Sequence, residues 1–240
     1  MGRILILFSF LLVMSAFTIQ TFWRSLSGKS TIELINRLPL LFSPANYVYL
    51  CWLLIFASLV VWIVHCYKHR NSNSVTSLQT TLFAISSIFL ISFFIAWHNG
   101  QNGIAIFLFV LQLLSLFGLY ITYPLTTENI KIRIPIALFL SWSLFFFITF
   151  MSYIIVYFNW HGFGLSNALW AVILLTFGTA IALHLRYHHF DIVAPIIFIW
   201  GYVGIAIQNG LEELLVTTAA LFLCGVLIAG ILFVKKNRGY

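Results

Sequence analysis

Eight apolar stretches, each about long enough to cross a lipid bilayer, occupy most of this 240-residue chain. They cover residues 4–20, 45–67, 80–97, 103–123, 134–158, 165–185, 192–208 and 211–234. Hydrophobic residues make up 62% of the chain and charged residues only 7%, so no ordinary soluble surface could be assembled from this composition. The sequence therefore predicts an all-α fold, a polytopic transmembrane helix bundle of about eight spans.

The lysines and arginines between the stretches favour one side of the membrane. On an eight-span arrangement that side carries Arg3, Lys68, Arg70, Lys131, Arg133, Arg186, Lys235, Lys236 and Arg238. The other side carries Arg24, Lys29 and Arg37, all in the long first loop. Because cytoplasmic loops carry the excess of Lys and Arg, both termini are predicted to be cytoplasmic. No convincing cleavage site follows the first stretch, and a retained first helix is expected.

The net charge of +7 needs no nucleic-acid partner. The basic residues form short clusters beside the membrane, as the positive-inside rule expects. The sequence has no basic stripe and no motif for recognising nucleic-acid bases. The lipid bilayer, through its anionic headgroups, is the expected partner of this charge. Short loops and the absence of Asn-x-Ser/Thr sequons fit a bacterial cytoplasmic membrane.

Carboxylates are missing from the middle of the apolar stretches. Glu33 and Glu128 lie in loops, and Asp191, Glu212 and Glu213 lie at predicted helix starts. Pumps and ion-coupled transporters usually place ionisable groups at mid-membrane depth. A proton-driven pump and a carrier of charged substrates are therefore disfavoured.

A histidine pair is the one metal-like pattern in the sequence. His184 and His188 are four residues apart on one face of a predicted helix, a spacing that could bind haem or a divalent metal. The alternative is interfacial, because this helix end would reach cytoplasmic water, and His65 and His69 repeat the spacing at another helix end. We assign no metal site. No catalytic motif is recognisable, so the chain is predicted not to be an enzyme.

Aromatic residues make up 18% of the chain and include eight tryptophans. Several of these lie near predicted span ends, where amphipathic rings favour the membrane interface. Trp52 and Trp142 lie deeper, where an indole N–H needs a partner. Two interpretations stay open: these rings could line a pocket for a flat apolar ligand, or they could pack in the core or face lipid.

Four segments carry a resemblance to a known family. Residues 42–56 place Pro44, Trp52 and Phe56 at the start of the second span, and the fifth span opens with Pro135 and Trp142. The other two segments are the aromatic residues 93–97 and residues 111–116. With these spacings the chain resembles the TspO/translocator-protein family, the tryptophan-rich sensory proteins.

The chain also departs from that family's pattern. Pro44 stands alone where the family has two adjacent prolines, and no Asn-x-x-Trp precedes Trp97. Phe146, Thr149 and Ser152 stand around the positions of the family's fifth-helix Ala and Asn. The resemblance covers about residues 1–160, which it predicts to be a five-helix membrane core. Residues 161–240 would add a three-helix transmembrane extension with a basic cytoplasmic tail, as in longer members of the group.

The resemblance implies a bundle pocket that opens towards the first loop and binds a large apolar ligand, such as a porphyrin, haem or another lipophile. The ligand-binding residues carried over from the family are Tyr49, Trp52, Phe56, Phe93, Trp97, Gln112, Trp142 and Phe146, with Tyr49 and Gln112 as polar handles. Residues 31–38 of the first loop are predicted to form a short helix, either a lid over this pocket or an interfacial helix. The implied role is that of a sensor or of a facilitator of ligand transport.

Other functions stay open. The chain could be a structural or regulatory membrane subunit with no small-molecule site, docking a membrane partner through its last three helices, or it could be a permease. Small residues four apart bring membrane helices close. The pairs Gly178 with Ala182 and Gly225 with Ala229 would therefore serve packing within the chain or a homodimer face.

Overall fold

The structure, a computed structural model, describes residues 2–21, 30–68, 77–123, 127–160 and 164–233. Nine α-helices are found in these ranges: α1 Gly2–Thr21, α2 Thr31–Ile35, α3 Cys51–Lys68, α4 Ser77–His98, α5 Asn102–Ile121, α6 Thr127–Tyr157, α7 Asn167–His189, α8 Val193–Asn209 and α9 Leu214–Phe233. A 3₁₀ helix, Asn46–Leu50, leads into α3. No β-strand occurs among the described residues. The basic residues Arg24, Lys29, Arg70, Lys235, Lys236 and Arg238 lie outside the described ranges.

The chain is an integral membrane protein built of helices. Six helical segments are long and apolar enough to cross a membrane: Asn46–His65, Ser77–His98, Asn102–Ile121, Ile132–Tyr157, Asn167–His189 and Leu214–Phe233. Two shorter apolar segments, Ile6–Ser15 and Val193–Asn209, lie where the first and seventh spans were predicted. The helical membrane bundle is thus confirmed, while the count of eight spans and the cytoplasmic termini stay predictions.

Helix boundaries follow from the local sequence. The Ser166 hydroxyl accepts the amide of Leu169 at 3.3 Å and caps the start of α7. At its other end Phe190 takes a left-handed conformation, with φ of 53°. Asp191 lies at a helix start, as predicted: α8 begins at Val193, and the Asp191 carboxylate accepts the amide of Val193 at 2.8 Å.

The described chain divides into two compact units. The first unit comprises Met1–Leu34 and Cys51–Leu140, and the second comprises Ile35–Leu50 and Ser141–Tyr240. The sequence-based division at residue 160 follows the family resemblance and stays a prediction. The chain passes from one compact unit to the other after Leu34, after Leu50 and, within α6, after Leu140.

In the first unit, α4 packs against α1 and α5. Polar side chains tie the helix ends together: Trp62 Nε1 donates to the Tyr123 hydroxyl at 2.9 Å, and Gln79 Nε2 donates to Thr122 Oγ1 at 3.0 Å. Arg133, expected in a loop, lies inside α6 and is only 3% exposed. Its guanidinium carbon lies 4.7 Å from the centre of the Tyr120 ring, a cation–π arrangement.

In the second unit, α8 packs against α7 and α9, and glycines set how closely these helices approach. A Cβ on Gly178 would lie 2.6 Å from the Tyr202 hydroxyl and 2.7 Å from the Phe198 ring. The Tyr202 hydroxyl also donates to the Leu175 carbonyl at 2.5 Å. Gly178 therefore serves packing between α7 and α8, one of the two uses predicted for the small pairs.

The segment before α3 is bound to α8 through hydrogen bonds of the segment's own backbone. The Ala45 amide donates to the Gly204 carbonyl at 3.1 Å, and Trp200 Nε1 donates to the Val48 carbonyl at 3.2 Å. Asn209 Nδ2 donates to the Leu41 carbonyl at 3.0 Å. These bonds hold residues 41–48 in place and position Tyr49, which follows them.

Replacing Gly201 by Ala is expected to destabilise the protein. A Cβ there would overlap the ring of Phe145, which is itself 1% exposed and has little room to shift. Overpacking of this kind costs about 1–3 kcal/mol, and it outweighs the roughly 0.5–1 kcal/mol that Ala gains over Gly in a helix. Thermal unfolding in detergent, followed by tryptophan fluorescence, measures the change.

Gly225→Ala is the matched control for Gly201→Ala. Gly225 lies on the exposed face of α9, and nothing lies within 4 Å of the position its Cβ would take. The substitution should leave the unfolding temperature unchanged or raise it slightly. Equal unfolding temperatures for the two variants would contradict the role given to Gly201.

Candidate functional site

All eight residues predicted to bind ligand are buried. Five of them, Trp52, Phe56, Phe93, Trp97 and Gln112, belong to the first unit, and three, Tyr49, Trp142 and Phe146, belong to the second. The exposed fraction of each side chain is 8% or less. The rings of Trp52 and Trp142 therefore do not face lipid, which removes one of the interpretations left open by the sequence.

Trp52 and Phe56 form the centre of one aromatic cluster in the first unit. Their rings are stacked, with centroids 5.6 Å apart and planes inclined by 25°. Phe139 lies 6.2 Å from Trp52, and Phe10 meets Phe56 edge-on at 6.4 Å. We call these four residues the Trp52 cluster. Because Trp52 and Phe56 are one helical turn apart, the stack follows from the sequence spacing itself.

Phe93 and Trp97 lie in a second cluster of the same unit. Their centroids are 5.6 Å apart, and Phe93 also contacts Phe94 at 4.9 Å and Phe109 at 4.3 Å. We call these four residues the Phe93 cluster. Phe109 comes from α5, so this cluster joins the end of α4 to α5.

Gln112 lies on the same face of α5 as Phe109. The buried residues of this helix recur at the helical spacing: Asn102, Ala105, Phe109, Gln112, Leu116, Leu119 and Tyr120. The Gln112 side chain is 0% exposed. Hydrogen bonds of a buried amide offset the cost of its desolvation.

Tyr49 and Trp142 lie together in the second unit. Their rings meet edge-on with centroids 6.1 Å apart, and Phe145 lies 5.9 Å from Trp142. Phe42 and Phe198 both contact Phe145, at 5.9 Å and 5.8 Å. We call these five residues the Trp142 cluster. Phe146, the neighbour of Phe145 on α6, is buried as well.

Three members of the Trp142 cluster were missed by the sequence analysis: Phe42, Phe145 and Phe198. Phe145 is three residues after Trp142 and could have been placed on the same helix face by its spacing. Phe198 belongs to α8, in the predicted extension, and no local pattern connects it with Trp142. Gly201, one turn further along α8, was the available signal, because it leaves the space that the Phe145 ring occupies.

These clusters provide aromatic faces and few polar groups. The eight predicted residues include neither His nor Cys nor Met, and Tyr49 is their one residue of a type that binds haem iron, so they would hold a porphyrin mainly by stacking on the ring. The Tyr49 hydroxyl and the Gln112 amide are their buried polar groups besides the indole N–H groups. Flat apolar rings of this kind can pack against one another or stack on another aromatic molecule.

The histidine pair at the end of α7 lies apart from these aromatic clusters in the chain. The rings of His184 and His188 have centroids 4.4 Å apart, and both side chains are exposed. Within the described ranges, no group of three or more His, Cys, Asp or Glu side chains is arranged to hold a metal ion. The exposed pair has the position that the interfacial interpretation gives it.

The short helix predicted in the first loop is present as α2, Thr31–Ile35. It begins with a capping box, in which the Ser30 amide donates to Glu33 Oε2 at 3.0 Å and the Glu33 amide donates to the Ser30 hydroxyl at 3.3 Å. The Thr31 hydroxyl bonds to His98 Nε2 at 2.7 Å, and both residues are buried. This bond joins the start of α2 to the end of α4, directly after Trp97 of the Phe93 cluster.

Thr31→Val is expected to lower the unfolding temperature. The change keeps the shape of the side chain but removes the hydroxyl that bonds to the buried His98, and loss of one partner of a buried pair costs about 1–3 kcal/mol. Thr218→Val is the matched control, because the Thr218 hydroxyl is exposed and bonds within its own helix, to the Leu214 carbonyl at 2.7 Å. A similar effect of both substitutions would show that the Thr31–His98 bond does not fix α2.

Comparison with known protein families gives a match. The family model described as TSPO-like protein matches residues 3–233, and so extends through α9. Neither a curated protein nor a solved structure matches the chain.

Proposed function

The chain belongs to the TSPO-like protein family, and on that premise we propose that it binds a large apolar ligand in its helix bundle. The ligand would be porphyrin-like or another lipophile, and the protein would act as its sensor or facilitate its transport. The family consists generally of sensors and transporters, and we propose no catalytic activity. A bacterial cytoplasmic membrane and a division into a 1–160 core and a 161–240 extension remain parts of this proposal.

One observation most directly supports the proposed binding of an apolar ligand. Trp52 and Trp142, the two rings that the family resemblance places in the pocket, are each 1% exposed and each contact further aromatic rings. Rings placed for membrane anchoring lie at the interface, and Trp160, 48% exposed at the end of α6, shows that arrangement. The two proposed pocket tryptophans are therefore distinct from the anchoring one.

Stacking provides the binding energy in this proposal. Aromatic pairs contribute about 0.5–1.5 kcal/mol each beyond the area they bury. A porphyrin that displaces one ring of a cluster takes over that ring's contacts with its neighbours, so little aromatic surface is left bare. Tyr49 and Gln112 would then hydrogen-bond to polar substituents of the ligand and orient it.

Trp52→Phe and Trp142→Phe are expected to weaken binding of protoporphyrin IX and of haem. Each change keeps an aromatic ring in the core but reduces the stacking face, which should raise the Kd about threefold or more. Quenching of the remaining tryptophans of the purified protein, titrated with each tetrapyrrole, measures the Kd. Thermal unfolding of each variant confirms that it is folded.

Trp160→Phe is the matched control for these two variants. Trp160 is exposed and lies beside Trp170, with ring centroids 5.1 Å apart and planes inclined by 39°. The substitution Trp160→Phe removes the same chemical group at the membrane interface and should leave the Kd unchanged. If both tetrapyrroles bind equally well to all three folded variants, or do not saturate the wild-type protein, the proposed site is wrong.

A second candidate function is that of a subunit that docks a membrane partner, or a second copy of itself, through the last helices. The observation that favours this function is the exposure of α9. Only 28% of its apolar segment is buried within the protein, against 72% for α6. On its outer face Gly225 and Ala229 are exposed, and the space around Gly225 is open. Small residues on an open face allow another helix to approach closely.

Gly225→Leu separates this candidate from the first. Filling the open space should remove a stoichiometric partner, or a homodimer, from the protein purified in mild detergent, while tetrapyrrole binding stays as in the wild type. Mass analysis of the intact complex detects either loss. A wild-type protein that purifies as a monomer without a partner contradicts the docking candidate.

A further inference from the structure

Arg186 is a buried cation near the end of a membrane helix. It lies in the last turn of α7, and its side chain is only 9% exposed, whereas its neighbours Tyr187 and His188 are exposed. The helical spacing explains the difference, because Arg186 continues the buried stripe of α7 through Thr179 and Ala182. The sequence analysis placed this residue at the cytoplasmic surface, and its inward orientation was not predicted.

One donor of Arg186 bonds to the end of α9. Its Nη2 donates to the Ile231 carbonyl at 3.0 Å. Ile231 is among the last residues of α9, whose final carbonyls have no partner within the helix, so the cation caps this end and complements the helix dipole. Next to it, Gly230 leaves space that Leu183 of α7 occupies, so α7 and α9 are close at this level.

The charge of Arg186 is not otherwise balanced among the described residues. Its Nε is buried and has no hydrogen-bond partner in the described chain. A guanidinium has five N–H donors in a planar fork that matches the two oxygens of a carboxylate or a phosphate. A buried cation without a counter-charge is costly, so the arrangement calls for an anion beside it.

The position of Arg186 along the helices identifies the source of this anion. It lies three residues before the end of α7, and Ile231 lies two residues before the end of α9. At a rise of about 1.5 Å per residue, both are within roughly 5 Å of their helix ends, at the level where lipid headgroups lie. Basic recesses between helices at this level bind anionic headgroups.

We propose that Arg186, at the paired ends of α7 and α9, binds the phosphate of an anionic phospholipid. The phosphate oxygens accept from Nε and from the guanidinium donors not used by Ile231. An inorganic phosphate ion has the same chemistry, and the membrane is the source that the position of the site favours.

The test is lipid retention by the whole protein. The wild-type chain, purified in detergent and supplied with equal amounts of phosphatidylglycerol and phosphatidylcholine, should retain phosphatidylglycerol roughly tenfold more strongly in native mass spectrometry, as a charge-assisted pair implies. Arg186→Gln should lose this preference. Arg37→Gln, which removes the same charge from an exposed position, should keep it.

Thermal unfolding gives a second readout and separates the two sources. In phosphatidylcholine nanodiscs, added phosphatidylglycerol should raise the unfolding temperature of the wild-type protein, and inorganic phosphate should not. An equal rise with inorganic phosphate, lost in Arg186→Gln, would overturn the lipid as the source and assign the site to a soluble anion.

Three results overturn the site itself: no preference in the wild-type protein, the same preference in folded Arg186→Gln, or a loss of preference in Arg37→Gln. If Arg186→Gln does not fold, Arg186→Lys takes its place. This variant keeps the charge but has no Nε–H fork, and the proposal requires it to lose most of the preference. Full retention by Arg186→Lys would show attraction to charge alone and would also overturn the proposed site.

Discussion

Inside a bilayer the backbone cannot bond to water, and each amide and carbonyl must find its partner within the protein. Long helices meet this requirement along their length but leave their ends unsatisfied. Side chains complete several of these ends in the described chain: Ser166 at α7, Asp191 at α8 and Arg186 at α9. These three polar side chains therefore lie where the backbone lacks partners, whereas other buried polar side chains, such as Gln112 and Thr149, lie within helices.

Between helices in a membrane, close packing replaces the hydrophobic effect as the main source of stability. In the second unit this packing is built from glycines and aromatic rings. Gly201 leaves the space for Phe145, Phe145 contacts Trp142, and Trp142 contacts Tyr49. Two of the predicted ligand-binding residues thus depend on α8, a helix of the predicted extension. The family model matches the chain through residue 233, so the match includes α8 and α9 as described.

The sequence allowed the helices and the short-range ring pairs to be predicted. Eight apolar stretches correspond to eight long helices in the described part of the chain, and a spacing of four residues accounts for the contacts of Trp52 with Phe56 and of Phe93 with Trp97. The pairing of Tyr49 with Trp142 was accessible only through the family resemblance, because 93 residues separate them along the chain. Phe198 had no such guide. In a membrane protein both the lipid-facing and the buried side of a helix are apolar, so hydropathy does not reveal which face turns inward.

The same limitation explains why the burial of Arg186 was not predicted. A comparison with Arg133 shows what the surroundings of a buried arginine add. Both arginines were assigned to the basic surface, and both are buried, with 9% and 3% of their surface exposed. Arg133 lies over the face of Tyr120, whose ring quadrupole offsets part of the cost of burying a charge. Arg186 bonds instead to a helix carbonyl, which accepts one hydrogen bond and leaves Nε without a partner in the described chain. The positive-inside rule counts the two residues alike, but their surroundings differ, and only the surroundings of Arg186 call for an anion.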